Sequence, residues 1–316
     1  MTRQEQDIAV LPHRFAPLRH ETSGFAVTVL PASGYHVAYV SSWHVIGFTF
    51  ERQQGVHAFA SDRHRAFHAD PWRLAFTPAG CAVFSASDSG GEYLVLSIEP
   101  ETFARLAVGV ERARLPQFTN VADPLFTPLG MALRRATVLG VATAPLTMEA
   151  LAAAAVERVA AQIGGRARWP AKPARGMTPR RLKRILDYLD AHLDEEVRLA
   201  DLAGDAGLSD AYLARAFKAA TGTTLHAALL ERRISRARRL IDGTRRGGGT
   251  ATRLADIAAA TGFSSHAHMT TAFRRVLGLT PSEWPRMRRD DEGGNAHLES
   301  AQWPTERHSQ RLNRRR

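Results

Sequence analysis

The chain has 316 residues, 44% of them hydrophobic, with 42 Lys plus Arg against 31 Asp plus Glu and a single cysteine. That length suits two domains, each able to bury its own core. One thiol, Cys81, excludes an internal disulfide framework and a cysteine-based zinc site, and a reducing cytoplasm is the expected compartment. The polar stretch Met1 to Val10 and the absence of any run of about 18 apolar residues lead us to expect neither an export signal nor a membrane span.

Charge divides the chain near residue 165. Residues 1–165 carry 13 Arg, no Lys and 14 acids, whereas residues 166–316 carry 29 basic and 17 acidic residues. The excess therefore lies in the second part, which points to a polyanionic partner such as nucleic acid, with a solvated basic face as the plainer reading.

From Gly24 to Pro100, short runs rich in aromatic and β-branched residues predict strands: Phe25 to Leu30, Val45 to Phe50, Arg73 to Thr77 and Tyr93 to Ile98. Turn signals such as Pro31-Ala-Ser-Gly34 and Thr77-Pro-Ala-Gly80 recur closely, which predicts an antiparallel sandwich or barrel. Helical spacing follows at Glu101 to Ala107, Pro124 to Leu139 and Leu146 to Ile163. In the last of these, Leu151, Ala155, Val159 and Ile163 form a stripe for the β domain or, our preferred expectation, for a second copy of the chain. Residues 166–180, with their prolines, glycines and scattered cations, read as a linker. Residues 289–316 read as a disordered basic tail.

The strongest signal is an internal repeat. Leu199-Ala-Asp-Leu-Ala-Gly-Asp-Ala-Gly-Leu-Ser209 matches Leu254-Ala-Asp-Ile-Ala-Ala-Ala-Thr-Gly-Phe-Ser264 at an offset of 55, and Tyr212 to Lys218 matches His268 to Arg274 at 56. Each copy predicts a short helix, a glycine turn at Gly207 or Gly262, a buried Leu208 or Phe263, an N-cap at Ser209 or Ser264, and a second helix. This is a helix-turn-helix pattern, whose second helix enters the major groove of DNA. With Leu213, Ala216 and Phe217 inward, the first copy turns Asp210, Ala211, Ala214, Arg215 and Lys218 outward. With Met269, Ala272 and Phe273 inward, the second turns His266, Ala267, Thr270, Thr271 and Arg274 outward. These ten residues are the candidate DNA-binding set.

Between the copies, Thr224 to Ile241 predicts a long spacer helix bearing Arg232, Arg233, Arg236, Arg238 and Arg239, read either as a solvated face or as cations near phosphates. The segment Gly243 to Arg253 is glycine-rich and reads as a flexible connection.

The run Leu254-Ala-Asp-Ile-Ala-x-x-x-Gly-Phe-Ser-Ser-His-x-His-Met-x-x-x-Phe-Arg-Arg-x-x-Gly-Leu-Thr-Pro-Ser-Glu-Trp284 resembles the second helix-turn-helix of the AraC/XylS family of transcription regulators. The resemblance implies an α+β chain of two domains. Residues 1–165 would be a cupin-like β-barrel with C-terminal helices, binding an effector or dimerising. Residues 181–288 would be an all-α AraC-type DNA-binding domain. It also implies double-stranded promoter DNA, RNA polymerase, a small-molecule effector and a homodimer as partners, with activation as the expected sign. By that resemblance Ala211, Ala214, Arg215 and Lys218, then His266, Ala267, Thr270 and Thr271, face the groove. Thr271 stands where many members carry a long polar side chain, so weaker or shape-based readout is expected there.

Other chemistry is weighed against this. His36, His44, His57, His64 and His68 lack metal-ligand spacing and read as surface or core histidines. Trp43, Phe48, Phe50, Phe59, Trp72, Phe76 and Phe84 read mostly as core, with one or two lining an effector pocket. Cys81 lacks the cluster that alkyl transfer needs and reads as a buried strand thiol. No nucleophile elbow, phosphate loop or His-Glu-x-x-His motif occurs, so we expect no enzyme and no cofactor. The alternative is a cupin-type metal-dependent enzyme fused to a DNA-binding domain.

Overall fold

A computed structural model of the chain describes residues 18–22, 24–111, 115–140, 145–165, 177–244 and 253–286. Most of the expected linker, the Gly-rich connection beyond 244 and the C-terminal tail lie outside these residues.

Among the described residues, ten strands make two antiparallel sheets. The first runs β1(Leu18–Thr22), β2(Phe25–Leu30), β9(Tyr93–Ile98), β4(His44–Thr49), β7(Arg73–Thr77), β10(Phe118–Ala122). The second runs β3(Tyr35–Val40), β8(Ala82–Ser87), β5(Gln53–Phe59), β6(Arg65–Ala69). Among the described residues, strand pairing makes two open sheets and not the closed barrel that a cupin-like reading implied. Alternation along the strands explains their placement. Ile46 pairs with Leu96 on one side and Phe76 on the other, and Phe48 with Leu94 and Leu74, giving one fully buried apolar layer. The opposite face carries Val45, Gly47, Thr49, Ala75, Thr77, Val95 and Ser97 and lines a cavity.

The helices cover the apolar layer. α1(Pro100–Leu106), α2(Phe126–Leu139) and α3(Pro145–Ile163) lie close to the expected positions. Gly130 lets α2 approach the sheet, because a Cβ there would lie 2.7 Å from the Phe48 ring. Asp123 anchors the start of α2 by accepting from the backbone N–H of Leu125 and Phe126, and Arg158 and Gln162 of α3 donate to its carboxylate. On α3, Met148, Ala152, Ala155, Val156, Val159 and Ala160 are buried within the chain, with α1 and α2 as neighbours. The stripe expected to serve self-association is therefore largely used internally.

The second half is helical: α4(Pro179–Ala191), α5(Leu199–Ala206), α6(Asp210–Thr221), α7(Leu225–Thr244), α8(Leu254–Ala260) and α9(His266–Leu277). α4 begins inside the segment read as linker. Thr178 caps it by accepting from the Arg181 N–H, Pro179 occupies the first turn, and Leu182, Ile185, Leu186 and Leu189 are buried on one face. The side chain of Ala206, which its spacing from Leu199, Leu202 and Ala203 predicts to be inward, lies outside the described residues. No helix among the described residues is long and apolar enough to cross a membrane.

Candidate nucleic-acid interface

Each helix-turn-helix unit is built from a short apolar pattern. Leu202 and Ala203 of α5, and Ile257 and Ala258 of α8, are buried, and the chain turns through Gly207 at φ +63° and Gly262 at φ +77°. Gly262 has a second reason to lack a side chain: a Cβ there would sit 2.1 Å from the Leu193 carbonyl oxygen. Phe263 is buried, whereas Leu208 is half-buried.

The two turns differ by one residue. α6 has Ser209 at its N-cap position with no side-chain cap bond. In the second unit the cap is Ser265, whose hydroxyl accepts from the His268 N–H at 3.1 Å, and not Ser264 as expected. Ser264 instead pairs with the His268 ring nitrogen at 3.0 Å. The extra residue between Gly262 and the cap is what shifts the repeat offset from 55 to 56.

On α6, Leu213, Ala216 and Phe217 face inward; Asp210, Ala211, Arg215 and Lys218 are exposed and Ala214 is half-buried. On α9, Met269, Ala272 and Phe273 face inward; His266, Ala267, Thr271 and Arg274 are exposed and Thr270 is half-buried. Both hydroxyls of the second unit are engaged locally, Thr270 donating to the His266 carbonyl and Thr271 to that of Ala267. They offer their methyl groups and a remaining acceptor outward, a modest set for reading bases.

Four of the five arginines of α7 occupy neither expected role, Arg236 being the exception. Arg232 bonds Asp190 at 2.8 Å and lies over the Trp72 ring, and Arg233 donates to the carbonyls of Leu193 and Glu195. Arg239 pairs with Glu51 at 3.0 Å. Arg238 is buried against Glu92, which also accepts from Arg134 of α2 at 3.0 Å, while Arg134 pairs with Glu231 at 2.7 Å. Burial alone would push the Glu92 carboxyl up, but the charges of Arg238 and Arg134 overcome it and hold it at about 2. Three of these arginines, Arg232, Arg238 and Arg239, thus join the two halves of the chain.

Between the two sheets lies a cavity of about 440 Å³. Tyr35, Tyr39 and Tyr93 line it, with Gln53, His57 and Arg73. A Cβ at Gly47 would lie 1.7 Å from the Tyr93 hydroxyl, so the glycine makes room for this ring. Burial pushes the Tyr39 phenol up to about 12, helped by Cys81 and Tyr35, and burial raises Tyr93 as well, so both remain hydrogen-bond donors. Of the aromatics singled out from sequence, Phe59 lines the cavity, while Phe48, Phe50, Trp72 and Phe76 are core. The alternation of Tyr35, Val37 and Tyr39 along β3 is the sequence signal that places them on one strand face.

The remaining candidates have structural placements. His44 accepts from the Ala79 N–H, His36 and His64 pack on Phe84, and His57 stacks on Phe67. Among the described residues no three His, Cys, Asp or Glu side chains gather to hold a metal ion. Cys81 is half-buried in the turn before β8 and not within a strand.

Comparison with known proteins agrees with this geometry. Residues 202–287 match the model of a family described as "Helix-turn-helix domain". The regulatory protein PocR of Salmonella typhimurium is 32% identical over 115 residues, 36% of this chain and 36% of its own length. The HTH-type transcriptional regulator GlxA of Rhizobium meliloti is 32% identical over 124 residues, 37% of this chain and 36% of its own. The match thus spans about a third of these relatives. A solved AraC-type transcriptional regulator from Chromobacterium violaceum is 29% identical, covering 35% of this chain and 92% of that one, with a TM-score of 0.30. The C-terminal part of this chain is an AraC-type helix-turn-helix domain.

Proposed function

We propose that the chain is a cytoplasmic, sequence-specific DNA-binding transcription regulator that reads promoter DNA with α6 and α9. The observation that carries the reading is the pair of helix-turn-helix units, each presenting an exposed first turn and, in the first unit, Arg215 without a side-chain partner among the described residues. A guanidinium so placed matches the two acceptors of guanine in the major groove. The sheet domain senses a signal. Its cavity falls in the size range of small-molecule sites, and the tyrosines and Arg73 suit an uncharged or singly anionic effector with an apolar body. Activation through contact with RNA polymerase and action as a homodimer complete the reading.

Selection of bound duplexes from a random pool by the full chain, at near-physiological salt, tests it. Enrichment of a motif with two elements about one helical turn, roughly 34 Å, apart supports two readers on one face of the duplex. Retention of all duplexes alike would reduce the protein to a non-specific polycation. Sedimentation with and without the selected duplex measures self-association.

A further inference from the structure

The two recognition helices end alike. α6 stops at Gly222 with φ +77° and α9 at Gly278 with φ +84°, in both cases with the glycine N–H closing the last turn. Both ends rest on the same element of the other domain. Thr127, in the first turn of α2, donates to the Thr221 carbonyl at 2.7 Å, and a Cβ on Gly222 would lie 2.0 Å from the Pro124 carbonyl oxygen. At the far end of α2, Arg135 donates to the carbonyls of Arg274, at 2.9 Å, and of Arg275, and a Cβ on Gly278 would meet the Leu139 side chain at 2.6 Å.

These acceptors lie in the last turns of the helices, where carbonyls run short of intrahelical donors and the helix dipole favours a cation, although the Arg274 carbonyl also accepts from the Gly278 N–H. Between the two ends, Arg134 of α2 reaches Glu231 of α7, and Trp72 packs edge-on to Phe217 of α6. α2 itself is seated on Phe48 through Gly130 and fixed at its start by Asp123.

We infer that α2 is a strut that fixes the separation and orientation of the two DNA-reading helices, with Thr127 and Arg135 as positioning residues. The spacing of the two DNA elements is then set by the sheet domain, and not only by the helix between the readers. The same strut supplies a route for regulation. Phe48 on β4 touches α2, while its neighbours Gly47 and Thr49 line the cavity on the other face, so one strand separates an occupant of the cavity from the strut.

The geometry and its consequence for DNA are tested separately, because the second rests on the function proposed above. In full-length protein carrying Cys81→Ser, spin labels at Ala219→Cys on α6 and Thr271→Cys on α9 report the distance between the readers without DNA. A narrow distribution that broadens in Thr127→Val and Arg135→Ala is the expected result. A distribution equally narrow in the variants overturns the strut, whatever the protein binds.

On duplexes bearing the selected motif with its elements moved apart or together base pair by base pair, native protein should prefer one spacing. Arg135→Ala should lose about tenfold of that preference, within the range of ordinary coupling between sites, and keep the motif. Unchanged spacing preference contradicts the role, as does tighter binding at every spacing, which would make α2 a lock that holds the readers off DNA. Failure of native protein to select any duplex would count against the proposed function, while the label distances would still decide the strut.

Discussion

Arg215 illustrates how far one side chain specifies a function. It stands exposed on α6 between Ala214 and the buried pair Ala216 and Phe217, so the helix periodicity alone turns it outward. Arg215→Ala should relax discrimination at one base pair by about 1 to 3 kcal/mol, measured as relative affinity for duplexes that differ only there. Arg236 offers the contrast, because it is the one α7 arginine without an intramolecular partner among the described residues. Arg236→Ala should weaken all duplexes alike and flatten the salt dependence. Equal effects of both changes on every sequence would show that α6 does not read bases. The serines before the second helices separate in the same manner. The Ser265 hydroxyl accepts from the His268 N–H, so Ser265→Ala should lower stability by about 1 kcal/mol in thermal or denaturant melts. Ser209→Ala, which removes no side-chain cap bond, should cost less. A reversed order would contradict the one-residue shift between the units.

At the scale of elements, Phe217 and Phe273 occupy the same place in the two repeats and are fully buried. Truncating either to alanine should cost about 3 to 5 kcal/mol and unfold its unit, as followed by helical circular dichroism during denaturation. Phe217 also touches Trp72, so its loss should loosen the contact between the halves, whereas Phe273→Ala should leave Trp72 fluorescence largely native. Normal folding of both variants would refute the burial. The repeat units were legible in sequence because each depends on local signals: a period of three to four and a glycine turn followed within three residues by a serine at the N-cap position. Strands β2, β7 and β9 were legible for a similar reason, since a run of five or six residues rich in aromatic and β-branched side chains sufficed. α4 is masked in the sequence because Pro179, which starts it, follows a run of prolines and glycines that carries no apolar period. The division into two open sheets and the tyrosine-lined cavity were not legible, because both depend on which strands pair across long stretches of chain. The α7 arginines misled for the same physical reason: a cation's role depends on the acid facing it, and Glu92, Glu51 and Asp190 are distant in sequence.

Across the whole molecule, Glu92 is the most deeply buried of the carboxylates that join the two halves. It lies between Arg134, whose other ion pair is with Glu231 on α7, and Arg238, also on α7. A buried ion pair contributes little over an apolar substitute, but loss of one partner leaves the others charged and dry, which costs several kcal/mol. The sign of the pH response follows. The folded-state pKa is about 2, depressed from the usual 4.5, so native protein holds fewer protons than unfolded chain between these values. The contribution of Glu92 to stability is therefore fully present above about pH 4.5 and disappears as pH falls toward about 2. Chemical denaturation across this window should show native stability falling with acid, and Glu92→Gln should flatten that limb while lowering stability at neutral pH. The gap between native and variant should be widest above pH 4.5 and close as acid protonates Glu92. Because the network also anchors α2 to α7, Glu92→Gln at neutral pH should broaden the distance between labels on α6 and α9. Parallel stability curves for the two proteins from neutral pH down to pH 2, with an unbroadened label distance, would separate Glu92 from the junction and leave α2 held by its contacts with the recognition helices alone.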